Sequence, residues 1–429
     1  MNTRRRLLAA ALAAPVVLAS CKVRTINYFP GTPARVRAVN VMLDSTAVDI
    51  VEGDSVVFGA IPFEVGTDYI ELENTQRTFS LRFAGQPGNL SSVDVALAGE
   101  QPYTLLSFGT TDRPELMYVS DVSSSTAGNV QLRVVNAALG TPAYDIYITG
   151  PLVPFDDNLG PNIVGLSGGS SAVSLRFTHG IYRIRVAANG TRFVAYDSGP
   201  IVFNTSESVD LVLYTLGAQV LPTLMLMEVD TNARTLVPSL ISSARVINAA
   251  FQSGTIVGKY DGTIFTAEVP YGGVTEYVFQ AAGLHTVTLE STATPGAAIA
   301  TLEHSFPAAH DHSLVAVGTP GAVQILALAD DNRIPVSGTA RTRFVNASSD
   351  NAAYDVYVGD QKLVTALPAR TASTYVNLVA GTHTFTFRDP ASGAIALTVA
   401  DVVLDDGRVA TVYVAGVAGT LQSILSPER

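Results

Sequence analysis

Two short stretches decide the fold, RVVNA at residues 133–137 and AYDIYI at residues 143–148. In the second stretch Tyr144, Ile146 and Ile148 fall on one side of an extended chain, because side chains alternate along a β-strand. The other side carries Ala143, Asp145 and Tyr147. One wholly bulky, apolar side is the pattern of a strand that lies against a core. The stretch therefore predicts a strand whose bulky side faces the space between two sheets.

The first stretch recurs four times along the chain. Each copy of the stretch contains one asparagine, and these are Asn40, Asn136, Asn248 and Asn346. Successive asparagines are 96, 112 and 98 positions apart. An aspartate follows nine positions later in three copies, at Asp49, Asp145 and Asp355, whereas the third copy has Val257 at that position. Self-similarity at about 100 residues predicts tandem domains, of which the third has diverged.

Each copy contains further segments that resemble strands. A glycine precedes an alternating segment at 180–186, 283–289 and 381–387, and an apolar run such as residues 103–108 follows near the end of each copy. No segment beyond the first twenty-one residues combines helical periodicity with caps. A unit of about 100 residues with some seven short strands has the size of a β-sandwich. The predicted class is all-β, with tandem immunoglobulin-like or transthyretin-like antiparallel β-sandwich domains.

Short polar segments separate the copies and set the domain boundaries. The expected organisation is a signal peptide at 1–21, a tether at 22–34, and sandwiches at 35–122, 131–230, 242–330 and 340–427. Short linkers favour a semi-rigid row of separate sandwiches. Fewer, larger domains that each contain two copies are the alternative.

The first twenty-one residues have the features of an export signal. Arg4 to Arg6 form a basic segment, and the uncharged residues 7–19 are too few to span a bilayer, which takes about 20. The arginines also resemble a twin-arginine signal. The segment ends in Leu18-Ala-Ser-Cys21, which is similar to a bacterial lipobox, and Cys21 is the only cysteine. These features predict lipidation at Cys21, with a plain secretory signal as the alternative.

A lipid on Cys21 makes the membrane a partner of this protein, because buried acyl chains supply membrane affinity. Lys22 stands where an aspartate often retains lipoproteins at the inner membrane. The expected location is therefore the cell envelope, at the outer membrane, facing either the periplasm or the cell surface.

The repeated motifs resemble a known family. The pattern Arg-x-Val-Asn-Ala, then Ala-x-Asp-[Ile/Val]-Tyr, then Gly-x-[His/Tyr]-x-[Val/Ile/Phe] is similar to the bacterial family called domain of unknown function 4397 (DUF4397). The resemblance covers most of the chain, best in the second and fourth copies and worst in the third. It implies an exported envelope protein with tandem sandwiches, and it supplies no catalytic residues.

Charge and composition exclude some partners. The formal net charge is −11 and no basic run follows the signal, whereas nucleic-acid binding needs clustered Lys or Arg. We therefore expect no nucleic-acid partner. With 47% hydrophobic residues, the chain has ample material for several cores.

Metal binding is the first chemistry to consider. His304, His310 and His312 with nearby carboxylates form a candidate zinc site, although the spacing matches no strong metal motif and an exposed turn is the simpler interpretation. The repeated Asn and Asp are interpreted as structural, because Asn suits strand ends and Asp accepts hydrogen bonds from loop amides. Calcium coordination by Asp49, Asp145 or Asp355 with loop carbonyls is the alternative.

Enzyme motifs are absent from the sequence. It contains no Gly-x-Ser-x-Gly elbow, phosphate loop or His-Glu-x-x-His, and residues 165–170 only superficially resemble a nucleophile loop. The leading hypothesis is a non-catalytic binding or adhesion module for an unknown protein or glycan. A structural envelope scaffold or spacer is the first alternative, and an enzyme with an unrecognised site is the second.

Overall fold

A computed structural model describes residues 31–121, 126–215, 221–229, 231, 233–350 and 352–428. All regular structure within these ranges is β, so the all-β class is confirmed. The signal peptide, Cys21 and most of the tether lie outside the described residues. None of the described residues belongs to a helix that could span a membrane.

The strands of the first two copies lie between residues 34 and 237. Those of copy 1 are β1 Ala34–Asn40, β2 Val48–Glu52, β3 Ser55–Ile61, β4 Val65–Gly66, β5 Ile70–Leu72, β6 Gln76–Phe83, β7 Ser91–Ala96, β8 Pro102–Thr110 and β9 Arg113–Ser120. Those of copy 2 are β10 Asn129–Asn136, β11 Tyr144–Thr149, β12 Ile163–Leu166, β13 Ser170–Ser171, β14 Leu175–Thr178, β15 Gly180–Ala188, β16 Val194–Phe203, β17 Ser208–Thr215, β18 Pro222–Glu228 and β19 Arg234–Val237.

The strands of the last two copies lie between residues 241 and 427. Those of copy 3 are β20 Ile241–Asn248, β21 Ile256–Tyr260, β22 Thr263–Ile264, β23 Val278–Ala281, β24 Gly283–Ser291, β25 Ala298–Phe306, β26 Asp311–Val317 and β27 Gln324–Ala329. Those of copy 4 are β28 Thr339–Ser348, β29 Tyr354–Val358, β30 Gln361–Leu367, β31 Thr371–Ala372, β32 Val376–Val379, β33 Gly381–Arg388, β34 Ile395–Leu404, β35 Val409–Gly416 and β36 Gln422–Pro427.

Each copy folds into two sheets. In copy 1 the first sheet has the order β4-β1-β8-β9 and the second has the order β3-β2-β6-β7, and the other copies repeat this plan. Each copy departs from the predicted antiparallel sandwich in one respect, because two neighbouring strands of its first sheet, such as β1 and β8, run parallel. The chain passes through the second sheet between these two strands, so no tight hairpin forces them to run in opposite directions.

The predicted core face of the deciding stretch is confirmed. Tyr144, Ile146 and Ile148 are buried in the copy 2 core, together with strands from the facing sheet. Asp145 lies on the opposite side of β11, as the alternation requires.

The two central strands of the first sheet, such as β1 and β8, are buried on both faces in every copy. The outer face of this sheet packs against the equivalent face of a neighbouring copy, so that copies 1 and 2 form a first pair and copies 3 and 4 a second pair. The layer inside the first pair consists of Val39, Val41, Leu106, Phe108, Val119, Val135, Ala137, Val212, Tyr214, Met225 and Met227. Burial on both faces explains the unbroken apolar runs in the sequence, because neither side of those strands meets water.

Each copy keeps a core of its own, as expected of tandem sandwiches, and the copies also pack against one another in pairs. The second pair shares an apolar layer like that of the first, with Ile247 and Val315 from copy 3 against Val345 and Tyr413 from copy 4. Additional contacts join the pairs, including an edge-to-face contact of Phe193 with Phe279 at 6.5 Å between ring centroids.

Candidate functional site

The repeated asparagines hold the two sheets of each copy together. Asn40 is fully buried at the end of β1, and its Nδ2 donates to the Ile61 carbonyl at 3.0 Å, while its Oδ1 accepts from the Met42 amide at 2.9 Å. Asn136, Asn248 and Asn346 make the same pair of contacts with their own copies. These bonds are consumed within the fold and leave no amide group for a ligand.

The repeated aspartates bind amides of the second sheet, not of the loop before them. Asp49 accepts from the amide of Ala60, whose φ is 52°, and Asp355 accepts at 2.7 Å from the amide of Ala366, whose φ is 46°. A left-handed non-glycine residue is strained by about 1 kcal/mol, so a fixed carboxylate acceptor helps to hold this bulge in place.

Asp145 in copy 2 has the fullest set of donors among these aspartates. Its oxygens accept from the amides of Gly165 and Gly190, both at 2.9 Å, and from the Asn189 side chain at 2.8 Å. Burial raises the pKa of Asp145, but these donors outweigh it and leave the pKa below its ordinary value. A carboxylate so occupied has little capacity left for calcium.

The third copy brings its three candidate histidines close together, and the rings of His304 and His312 contact Phe306. The ring centroid of His312 lies 5.5 Å from that of His304 and 6.5 Å from that of His310. Burial and the nearby His304 lower the pKa of His312 to about 4. Within the described ranges, no group of three His, Cys, Asp or Glu side chains is arranged to hold a metal ion.

Buried ion pairs join the copies of each pair, and sequence analysis missed them. We call Arg37, Arg133, Asp121 and Asp210 the first ion cluster. Arg133 of copy 2 donates from Nη2 to Oδ1 of Asp121 at 3.1 Å, and Asp121 directly follows β9 of copy 1. Arg133 also donates from Nε to Oδ1 of Asp210 in its own copy at 2.9 Å. In return, Arg37 of copy 1 donates to the Glu228 carbonyl of copy 2 at 2.9 Å. The arginine of the repeated signature thus bonds the partner copy.

The second pair repeats this arrangement as the second ion cluster, which consists of Arg245, Arg343, Asp330 and Glu428. Arg343 Nη2 lies 2.5 Å from Asp330 Oδ1 and 3.0 Å from Glu428 Oε1, and Arg245 Nη2 lies 3.1 Å from Glu428 Oε1. Each cluster has two arginines and two carboxylates, all almost fully buried. The signal in the sequence was an arginine three positions before the repeated asparagine in every copy.

The carboxylates of the two clusters come from different places. Copy 2 supplies Asp210 from β17, whereas copy 4 has Thr411 at that position and supplies Glu428 from the end of β36. Burial and the adjacent Asp121 raise the pKa of Asp210 to about 7, against the opposing effect of Arg133. Burial and Asp330 likewise raise the pKa of Glu428, against the opposing effects of Arg343 and Arg245.

A pocket of about 270 Å³ opens beside the second ion cluster, and we call it the second-pair pocket. It is lined by Arg245, Thr275, Glu276, Tyr277, Pro427 and Glu428. The Arg245 guanidinium lies 4.5 Å from the Tyr277 ring centroid. Glu276 is exposed, and no described residue forms a hydrogen bond or an ion pair with it.

The same place in the first pair is filled. Thr67 corresponds to Thr275, because its hydroxyl accepts from the Ala38 amide as that of Thr275 accepts from the Val246 amide. Arg234 of β19 lies there and donates from Nη1 to the Thr67 carbonyl at 3.3 Å. The two pairs therefore differ at one site, where the first holds a guanidinium and the second is open.

The fold and this duplicated arrangement define a protein of tandem, paired β-sandwiches. Three segments, 34–147, 242–353 and 343–428, match the family model "Domain of unknown function (DUF4397)". Because these segments span more than half of the chain, the chain belongs to this family. The third copy is matched and residues 148–241 of the second are not, which is contrary to the expected order of resemblance.

The other comparisons add little. The chain is similar to a solved structure described as "The Bacillus anthracis TIE protein", with 10% identity and a TM-score of 0.15 over 86% of this chain and 66% of that one. A TM-score this low supports no argument about fold or function. No curated protein matches the chain.

Proposed function

We propose that this chain is a lipid-anchored protein of the cell envelope that acts without catalysis, as a binding or adhesion module. The observation that carries the binding function is the second-pair pocket, where the exposed carboxylate of Glu276 stands beside a buried ion cluster. An open concave site with a few polar groups suits ligand binding. An unpartnered carboxylate on its wall favours a ligand that carries positive charge.

The proposed anchor rests on the amino-terminal sequence. Arg4 to Arg6, the uncharged segment after them and Leu18-Ala-Ser-Cys21 together support export and lipidation at Cys21. The absence of an aspartate after Cys21 supports the outer membrane as the destination. The partner that we propose is a protein or a glycan on the periplasmic or outer face.

A scaffold or spacer is the second candidate, and the paired interfaces favour it. Each pair is joined by an apolar layer and by an ion cluster whose side chains are almost fully buried. Two rigid pairs on a lipid anchor would separate or connect envelope layers without needing a ligand.

Palmitate labelling tests the anchor. Cells that produce the full chain are labelled with radioactive palmitate and fractionated, with Cys21→Ser as the matched control. We expect the label and the membrane association in the wild type and neither in the variant. An unlabelled, freely released wild-type chain would overturn the anchored proposal.

Protease treatment of intact cells separates the two candidate functions. Cleavage of copy 4 on whole cells, detected by immunoblotting, would favour binding or adhesion at the surface. Protection until the envelope is opened would favour the periplasmic scaffold.

A further inference from the structure

We infer that the second-pair pocket binds an arginine side chain presented by an extended peptide strand, which adds to the free edge of β36. This inference rests on the proposed binding function and names the class of partner. Its template is within the same chain, because β19 and Arg234 occupy the equivalent place in the first pair.

The strand part of the template is well defined. β19 pairs antiparallel with β18, so that Arg234 stands opposite Met227 and Val237 opposite Leu224. β36 corresponds to β18, because Arg245 donates to the Pro427 carbonyl as Arg37 donates to the Glu228 carbonyl. No described strand pairs with the outer edge of β36. A free edge of this kind can accept a strand from another chain.

The side-chain part of the template specifies a cation. In the first pair the Arg234 guanidinium bonds the Thr67 carbonyl, and the Asp68 carboxylate acts on it from nearby. Thr275 and Glu276 hold these two positions in the second pair. A guanidinium in the pocket would meet a carbonyl and a carboxylate, which together suit its several donors.

Charge balance points to the same ligand. With Arg234 and Asp68 included, the first pair has three arginines and three carboxylates around the cluster. With Glu276 included, the second pair has two arginines and three carboxylates. One bound guanidinium would give the second pair the same numbers of these arginines and carboxylates as the first.

The edge of β36 also has an uncovered apolar residue. Leu226 of β18 packs into the copy 2 core together with Val237 of β19. Leu425, its counterpart on β36, is 44% exposed. A strand added to β36 would place a residue opposite Leu425, as β19 places Thr235 opposite Leu226.

Two substitutions adapt the site. Pro427 cannot donate the bond that the Glu228 amide makes to the Ala233 carbonyl at 2.8 Å, so an added strand would have one main-chain bond fewer. Val274 replaces Gly66, where a Cβ would lie 3.0 Å from Arg234 Nη1, so a guanidinium in the second-pair pocket must lie slightly farther from this wall than Arg234 does. Both changes weaken the match to the first pair, so the guanidinium and the apolar contacts must supply the remaining binding free energy.

The probe that tests the inference is a fluorescein-labelled peptide with the sequence of residues 233–239, Ala-Arg-Thr-Leu-Val-Pro-Ser. The full chain is titrated into the peptide and anisotropy is measured. We expect saturable binding, loss of binding when alanine replaces the peptide arginine, and about a tenfold weaker affinity for Glu276→Gln, which corresponds to about 1.4 kcal/mol. Asp68→Asn is the matched control, because its site is already filled by Arg234, and it should bind the peptide like the wild type.

The outcomes discriminate clearly. Equal binding of the arginine and alanine peptides, no saturation at millimolar chain, or equal weakening by Asp68→Asn and Glu276→Gln would overturn the inference. Unchanged melting temperatures show that the variants are folded. If the peptide does not bind but the chain is labelled with palmitate and cleaved on whole cells, only the proposed arginine site is refuted. If the chain is not labelled, the proposed lipid anchor is refuted, independently of peptide binding.

Discussion

Arg343→Met should strongly destabilise the second pair. The guanidinium of Arg343 is almost fully buried, and it bonds Asp330, Glu428 and the Ala329 carbonyl. Its removal leaves two buried carboxylates with only Arg245 nearby. Loss of one partner from a buried ion pair costs about 3 to 5 kcal/mol.

Differential scanning calorimetry measures this effect. For a unit of about 200 residues, 1 kcal/mol shifts the melting temperature by about 2 to 4 °C, so the second pair should melt roughly 6 to 20 °C lower. Arg133→Met is the matched control, because it removes the equivalent arginine from the first pair. It should lower the transition of the first pair and leave that of the second unchanged.

Two results would refute this reasoning. A shift below about 2 °C for Arg343→Met would mean that the cluster does not hold the copies together. An equal effect of both variants on both transitions would mean that the pairs do not unfold as separate units.

Three further predictions concern single carboxylates and one histidine. Asp145→Ala should lower the melting temperature equally with and without calcium, because Gly165 and Gly190 amides already occupy its oxygens; a loss confined to calcium buffer would contradict this. Asp210 has a pKa of about 7 in the fold against about 3.9 unfolded, so the first pair should lose stability as pH rises from 4 to 7. Asp210→Asn should abolish that slope in pH-dependent calorimetry, and a slope that persists would exclude Asp210 as its source. His312 has a pKa of about 4 against about 6.5 unfolded, so the second pair should lose stability as pH falls from 6.5 to 4. His312→Val, which introduces the residue found at this position in copy 2, should flatten that loss, whereas His310→Ala should not.

The fold within each copy could be predicted because its signals are local. The alternation through Tyr144 and Ile148 assigned the core face correctly, since the side-chain period of a strand is fixed by its backbone. The parallel pairing of β1 with β8 could not be predicted, because no turn between them records it.

The candidate site was predicted only in part. The repeated Asn and Asp were found because they recur, and the structure shows the backbone groups that they bond. The arginines recur as regularly but were not singled out, because their partners, such as Asp330 and Glu428, lie at the far ends of other strands.

The sequence by itself determined that the chain contains four β copies, where each one begins, and which face of a strand meets its own core. These properties depend on periodicity and turns within a few residues. Only the tertiary structure decided that the copies associate in two pairs, because an apolar run shows that both faces are buried without showing what covers them. It also decided that Arg234 fills one site while the equivalent site beside Glu276 is open, because that difference arises from residues far apart in sequence that meet only in the folded chain.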